Sequence, residues 1–299
     1  MQLTSVWNLF ITGTLRGGLY ALMAAGLALI MGVMNVSSFM HGELYMIGAY
    51  LGWLAHVMLG FDPILSILCA ALTSFVVGVL MEKVFFHPLR RKSEKEWLLN
   101  AYLVTVGLSF MLQNVALVVF KPVFRGVPAY WEGSIQLSPT MGISIDRMMS
   151  FLIAVVAIGA FWLFLRRTKM GRAIRAVAED ARGAMLIGIE LNNIYTLSFG
   201  LSSMLAGIAG ASLLSLTPAY PTMGGVPLAK SWYVVILAGL GNTRGAIIGG
   251  FIVGMLESIS YYALGAGWQD VVSVVILILI LLVKPSGLFG SEVKGMLER

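Results

Sequence analysis

Charge is scarce in this 299-residue chain: Asp, Glu, Lys and Arg together make up 11% of it, against roughly 25% in an ordinary soluble domain. Hydrophobic residues make up 59% and the mean hydropathy is +0.89, a balance that excludes a water-soluble fold. Cysteine is scarcer still. Cys69 stands alone in an apolar run, which excludes an internal disulfide or a multi-thiolate metal site. His41, His56 and His87 lie on separate segments, and neither a His-Glu-x-x-His zinc motif nor a Gly-x-Ser-x-Gly elbow is present, so the convergent groups of an enzyme are missing. A Gly-x-x-x-x-Gly-Lys-Ser/Thr phosphate loop is also absent, so any ATP hydrolysis must occur on another chain. The first basic residue is Arg16; with no basic leader region, the first hydrophobic run is expected to be a retained helix.

What the chain has in abundance is long apolar runs, recurring from end to end with polar breaks between them. About 20 such residues cross a bilayer as a helix, and lipid leaves no backbone group unpaired, so these runs are expected to be helical. The expected fold is all-α, a single polytopic membrane domain over residues 1–299 with about eight to nine membrane segments. Spans are read at about 8–34, 43–60, 62–86, 98–120, 149–165, 192–216 and 269–284. Between Ser231 and Leu264 the run is broken by Gly239-Leu-Gly-Asn-Thr-Arg-Gly245, which divides either two full spans or a re-entrant pair.

The net charge of +6 resides in short loops, a pattern of membrane orientation and not of nucleic-acid binding. With the N-terminus outside, the cytoplasmic segments hold Lys83, Arg90, Arg91, Lys92, Lys95, Arg166, Arg167, Lys169, Arg172, Arg175, Arg182, Arg244, Lys284, Lys294 and Arg299. The external segments hold Lys121, Arg125, Arg147 and Lys230. Lys and Arg favour the cytoplasmic side, and fifteen against four supports this orientation, with the C-terminus inside. The long external segment from Lys121 to Arg147 carries Pro122, Pro128, Pro139, Tyr130 and Trp131, residues that suit an ordered interfacial loop.

The cytoplasmic loop at about 166–190 is too polar to span, yet Ile174, Val177, Ala178, Ala181 and Met185 recur at helical spacing. That spacing predicts a short amphipathic helix, with Arg175 and Glu179 placed for an i,i+4 pair. Either it lies on anionic lipid, or its small residues and Arg172, Arg175 and Arg182 dock a cytoplasmic partner.

The segment Asn35-Val-Ser-Ser-Phe-Met-His-Gly-Glu-Leu-Tyr45 places polar residues and a glycine between two hydrophobic helices. It is either a broken helix at a wet cavity or a cytoplasmic turn in which His41 and Glu43 cap the next helix. Glu257 stands in an apolar helix and should face the interior or a wet path. Gly245, Gly249, Gly250 and Gly254 suit close helix packing, and Ser198, Ser202, Ser203, Ser212 and Ser215 form a polar stripe suited to a pathway or to interhelical bonds.

Several of these segments resemble one family. Gly171-Arg-Ala-Ile-Arg-Ala-Val-Ala-Glu-Asp180 followed by Leu186-Ile-Gly-Ile-Glu-Leu-Asn192 is similar to the cytoplasmic coupling loop of branched-chain amino acid ABC permeases, a family that includes urea and short-amide permeases. Gly26–Met34, His41–Tyr50, Gly239–Gly250 and Lys284–Gly290 continue the resemblance in order along the chain. Where many members have Asn-Phe-Ala-His-Gly, this chain has Ser38-Phe-Met-His-Gly42. The resemblance implies an inner-membrane permease subunit, N-terminus periplasmic, of an ATP-driven importer of branched-chain or other hydrophobic amino acids. Urea, short amides and aromatic or other carboxylates are the alternative substrates. The implied partners are a related second permease subunit, two cytoplasmic ATP-binding subunits, a periplasmic solute-binding protein and membrane lipid. ATP and Mg are expected on the ATPases, with no cofactor or metal on this chain. Coupling is expected at Gly171, Arg172, Ile174, Arg175, Val177, Glu179, Asp180, Arg182 and Gly188, and the path at Ser38, Phe39, His41, Gly42, Glu43, Ser202, Asn242 and Glu257. A secondary transporter or channel is the rival reading; it needs ion-coupling carboxylates within the spans, and Glu257 has few companions there.

Overall fold

The computed structural model describes residues 3–92, 96–138 and 141–290. Lys95, Pro139, Lys294 and Arg299 lie outside the described residues. The first helix, α1 (Leu3–Met34), has 32 residues and so runs about 48 Å, longer than the roughly 30 Å hydrocarbon core. Its apolar stretch Leu9–Met34 is 89% buried, which makes it the central post of the molecule. Small residues permit this. Gly17 lies so close to Gly254 that a Cβ built on Gly254 would fall 2.5 Å from the Gly17 Cα. The helix stops at Asn35, whose φ is 55°, a left-handed conformation that asparagine tolerates.

The following elements are α2 (His41–Trp53), α3 (Pro63–Met81), α4 (His87–Lys92) and α5 (Trp97–Phe120). Single π-helical turns, Leu54–Met58 and Glu82–Phe86, extend α2 and α3. A hairpin follows, β1 (Ser134–Ser138) with β2 (Met141–Ser144), and then α6 (Ile145–Arg167), α7 (Lys169–Glu179) and α8 (Ala181–Leu186). The chain ends in α9 (Leu191–Ser212), α10 (Gly225–Ala238), α11 (Thr243–Leu264) and α12 (Gln269–Val283). Among the described residues seven helical stretches are long and apolar enough to cross a membrane, and the chain is a multi-pass helical membrane protein. One buried helix is too short to cross: α10, with 14 residues, reaches only about 20 Å, whereas α2 with its π-helical turn continues from His41 to Met58, about 25 Å. The interrupted region after Ser231 is therefore neither two full spans nor a simple re-entrant pair. It is the end of the half-length helix α10, a turn at Gly239–Asn242, and one full span, α11.

The packing has an exchanged, two-part form. The post α1 packs along α11, while α9 packs along α3; α2 lies against α9 and α3, and α10 against α11 and α1. The N-termini of α2 and α10 meet at the centre, where a Cβ on Gly42 would lie 2.5 Å from the Gly224 carbonyl oxygen. By contrast α12 is 11% buried over its apolar stretch, so its surface is left to lipid or to another subunit.

The long loop after α5 is ordered by specific bonds. Arg125 and Ala219 exchange two backbone hydrogen bonds of 2.9 Å, the Arg125 guanidinium sits 4.6 Å from the Trp53 ring centroid, and the Trp131 amide donates to Asp146 Oδ1 at 2.7 Å. Lys230 departs from expectation. It lies inside α10, 5% exposed, and so drops out of the loop charges.

Candidate translocation core and coupling surface

The polar segment after α1 turns back into the protein. His41, fully buried, places Nε2 3.1 Å from the Met23 carbonyl oxygen, 11 residues and about 16 Å back from the end of α1 at Met34. A carbonyl can only accept, so Nε2 carries the proton and Nδ1 is left to accept; the Ser202 hydroxyl stands 3.4 Å from it and donates at 2.7 Å to the Gly26 carbonyl. The helices α1, α2 and α9 thereby meet at one imidazole. The capping role does not occur: no side chain caps α2, whose N-cap is Met40. His41 points at α1 and Glu43 at α5.

Glu43 is 1% exposed. Its Oε1 accepts from Ser109 Oγ at 3.0 Å and Gln113 Nε2 at 2.7 Å, and its Oε2 has no partner. Among the described residues no basic group pairs with it. Ser38 is fully buried with an unpartnered hydroxyl, and Phe39 meets Tyr102 edge-on and Trp232 at a tilt, at ring distances of 5.2 and 5.4 Å. Gly42 is committed to the contact with Gly224. An amide at position 43 preserves the acceptor and needs no cation, so Glu43→Gln is expected to melt within about 1 kcal/mol of the native protein. Glu43→Leu strands Ser109 and Gln113, at about 1–3 kcal/mol for each buried unsatisfied group. Thermal unfolding in detergent checks the pair, and equal melting of the leucine variant would show that these bonds contribute nothing.

A second buried cluster joins the other half. Lys230 Nζ donates to both Glu257 Oε1 and Asp270 Oδ1, and the Tyr20 hydroxyl donates to Glu257 Oε2 at 2.7 Å. Four helices, α1, α10, α11 and α12, are tied at this point. Glu257 does face the interior, at 1% exposure, and Asp270 is largely exposed. Sequence reasoning missed Lys230, Tyr20 and Asp270. The available signal was a lysine and an aspartate at the edges of apolar runs, 27 and 13 residues either side of Glu257, a spacing that says nothing about contact until the helices are packed. The other predicted path residue, Asn242, is 15 residues away at the far end of α11, where it accepts from the Gly245 amide at 2.9 Å and donates to the Phe289 carbonyl at 2.8 Å. It is a helix cap. The eight candidates therefore divide: Ser38, Phe39, His41, Gly42, Glu43 and Ser202 lie together, while Glu257 and Asn242 stand apart.

The predicted coupling helix is two helices. Asp180, at φ −149° and ψ 101°, breaks the run, and its side chain accepts from the Arg182 amide at 3.0 Å to start α8. Thr168 starts α7 in the same way, accepting from the Gly171 amide at 2.9 Å. Gly171, Ile174 and Val177 are buried and hold α7 to the spans; a Cβ on Gly171 would fall 2.3 Å from the Phe164 carbonyl. Arg172, Arg175, Glu179, Asp180, Arg182 and Gly188 are exposed. Arg175 and Glu179 form no ion pair among the described residues. Ala178 and Met185, part of the helical apolar spacing, are exposed too; Ala178 lies on the open side of α7, and Met185 follows the break at Asp180, which resets the helical phase. The most exposed apolar groups here are Leu186 at 89% and Ile187 at 76%, which spacing alone did not single out.

Beside this surface, a buried anchor fixes the loop. Glu82, fully buried, pairs with Arg90 and accepts from Thr196 Oγ1 at 2.5 Å; the Arg90 guanidinium lies over Tyr195 at 4.7 Å and Trp97 at 5.5 Å. The ends of α3, α4, α5 and α9 are held together there.

Against known proteins, residues 9–281 match the family profile described as the permease component of branched-chain amino acid transport systems. The chain belongs to this permease family. It is 30% identical over 293 residues to the high-affinity branched-chain amino acid transport system permease protein BraD of Pseudomonas aeruginosa, covering 94% of each chain. It is 32% identical over 291 residues to the corresponding protein LivH of Escherichia coli K12, covering 93% of each. A shorter likeness, 29% over 202 residues, links 61% of this permease to 62% of the ribose import permease RbsC of Bacillus subtilis. No solved structure matches. The family is one of transport permeases, not of enzymes.

Proposed function

We propose that this permease imports branched-chain or other hydrophobic amino acids across a bacterial inner membrane, as the pathway subunit of an ATP-driven assembly. The names of the similar proteins in Pseudomonas and Escherichia support the substrate class. In this reading the N-terminus is periplasmic, and the end carrying Arg90, Arg166, Arg175 and Arg244 is cytoplasmic, in line with the preference of basic residues for that side. A related second permease, two ATP-binding subunits that carry ATP and Mg, and a periplasmic binding protein complete the assembly. The whole chain is one permease domain.

The observation that carries the partner reading is the tip at Met185–Ile187. A soluble loop gains nothing from presenting Leu186 and Ile187 to water; buried in a partner's pocket, each side chain contributes about 1.5–3 kcal/mol. The tip is rigidly held, since α7 below it buries Ile174 and Val177. Arg172, Arg175 and Arg182 are exposed on the same loop, charged groups that suit the polar edges of an interface with an apolar anchor. The double variant Leu186→Asp, Ile187→Asp is expected to retain fold and membrane insertion while losing at least about tenfold in ATPase binding. Co-purification and leucine uptake in reconstituted vesicles measure this; unchanged ATPase retention with full uptake would place the docking surface elsewhere. Alanine at Arg172, Arg175 and Glu179 tests the rim in the same assay, with a smaller loss.

A further inference from the structure

A cavity of about 760 Å³ opens at the same end of the molecule, between the end of α1, the end of α6, α7 and the turn joining α10 to α11. Three guanidinium groups line it, Arg166, Arg175 and Arg244, against one carboxylate, Glu179. Among the described residues none of the three arginines pairs with an acid. Arg166 rests on the Trp162 ring at 5.0 Å. Leu165, Ile247 and Phe289 supply apolar wall below the basic mouth. Asn242, also in the lining, already uses both its amide oxygen and its amide nitrogen, so recognition there is left to the arginines.

We propose that this cavity binds the headgroup of an anionic phospholipid of the cytoplasmic leaflet. Guanidinium groups bind phosphate oxygens bidentately, and unpaired arginines beside one another favour an anion. Trp162 is 40% exposed and Leu163 51% exposed on α6, so the arginines sit at the depth where tryptophan marks the headgroup region. A basic mouth over an apolar wall suits a molecule with a phosphate at one end and acyl chains at the other; basic pockets between spans on the cytoplasmic side favour such lipids. Through Ile174, Arg175, Ala178 and Glu179 the lipid would brace α7, the helix below the proposed docking tip.

The cytoplasmic assignment rests on the orientation proposed above, but binding is measurable without sidedness. The purified full chain in neutral detergent is titrated with dioleoylphosphatidylglycerol or dioleoylphosphatidylcholine and bound lipid is counted by native mass spectrometry. Phosphatidylglycerol should be held at least about tenfold more tightly, and Arg166→Gln, Arg175→Gln, Arg244→Gln together should remove that preference. Arg182→Gln, outside the cavity lining, should leave it intact. The proposal is overturned if the triple variant keeps the preference, if the two lipids bind alike, or if inorganic phosphate displaces phosphatidylglycerol at equal concentration, which would make this a small-anion site. Protection of the cavity only by an added ATPase would assign it to that protein and overturn the lipid reading. A reversed orientation is a separate result: Ala178→Cys in a Cys69→Ser background would then react with an impermeant maleimide outside intact cells, whatever the lipid titration gives.

Discussion

Lys230→Met is expected to destabilise the permease by about 3–5 kcal/mol, the cost of leaving one member of a buried ion pair behind. The lysine is 5% exposed and lies between Glu257 and Asp270. Once it is gone, Glu257, 1% exposed, keeps only the Tyr20 hydroxyl at 2.7 Å, and a carboxylate so placed either holds an unpaired charge or takes up a proton. Neither supports α10. Because α10 carries Gly224 against Gly42, the loss should spread to the polar segment at the start of α2. Lys230→Met combined with Glu257→Gln should recover most of the stability, since the stranded charge is then removed. Asp270→Asn should cost no more than about 1 kcal/mol, because the Asp270 side chain is 70% exposed and water screens its pair. Thermal unfolding of the three variants in one detergent separates these outcomes; a single variant as stable as the double would show that the cluster does not hold α10.

Gly48→Val is expected to yield no folded permease. A Cβ at this position would lie 2.3 Å from the Gly207 Cα and 2.5 Å from its carbonyl oxygen. These are backbone atoms of α9, and α9 is held on its opposite side by α3, where a Cβ on Gly207 would meet Ser74 Oγ at 2.3 Å. No side chain can rotate away. Even Gly48→Ala forces α2 and α9 apart, at the upper end of the 1–3 kcal/mol usual for overpacking. Gly107→Ala is the matched control: it sits in α5 with nothing within 4 Å of a Cβ, and alanine should be neutral or up to about 1 kcal/mol better in a helix interior. Size-exclusion profiles and melting midpoints of the three variants report the order; a monodisperse Gly48→Val protein would contradict the close crossing.

Membrane class, helix content and the polar segment before α2 were legible because each depends on local composition. An apolar run of about 20 residues has one stable form in lipid, and the glycines and serines of α9 and α11 are the ordinary means of close packing there. Periodicity could not find the break at Asp180. A run from Gly171 to Gly188 with helical spacing reads as one helix until the Asp180 side chain competes with the helix for the Arg182 amide, as short polar side chains do. That competition rotates α8 and puts Met185, Leu186 and Ile187 outside.

By itself the sequence determined that this chain is a many-spanning helical protein, because hydropathy is a property of contiguous residues. It also separated the residues into spans nearly correctly. The tertiary structure alone decided that α10 is a half-length helix whose start meets that of α2 at Gly42 and Gly224, that His41 reaches back to Met23, and that Lys230 lies between Glu257 and Asp270. Those pairings join positions tens to hundreds of residues apart. A buried charge has no stable place until its partner arrives, and only the packing of α1, α10, α11 and α12 brings that partner to it.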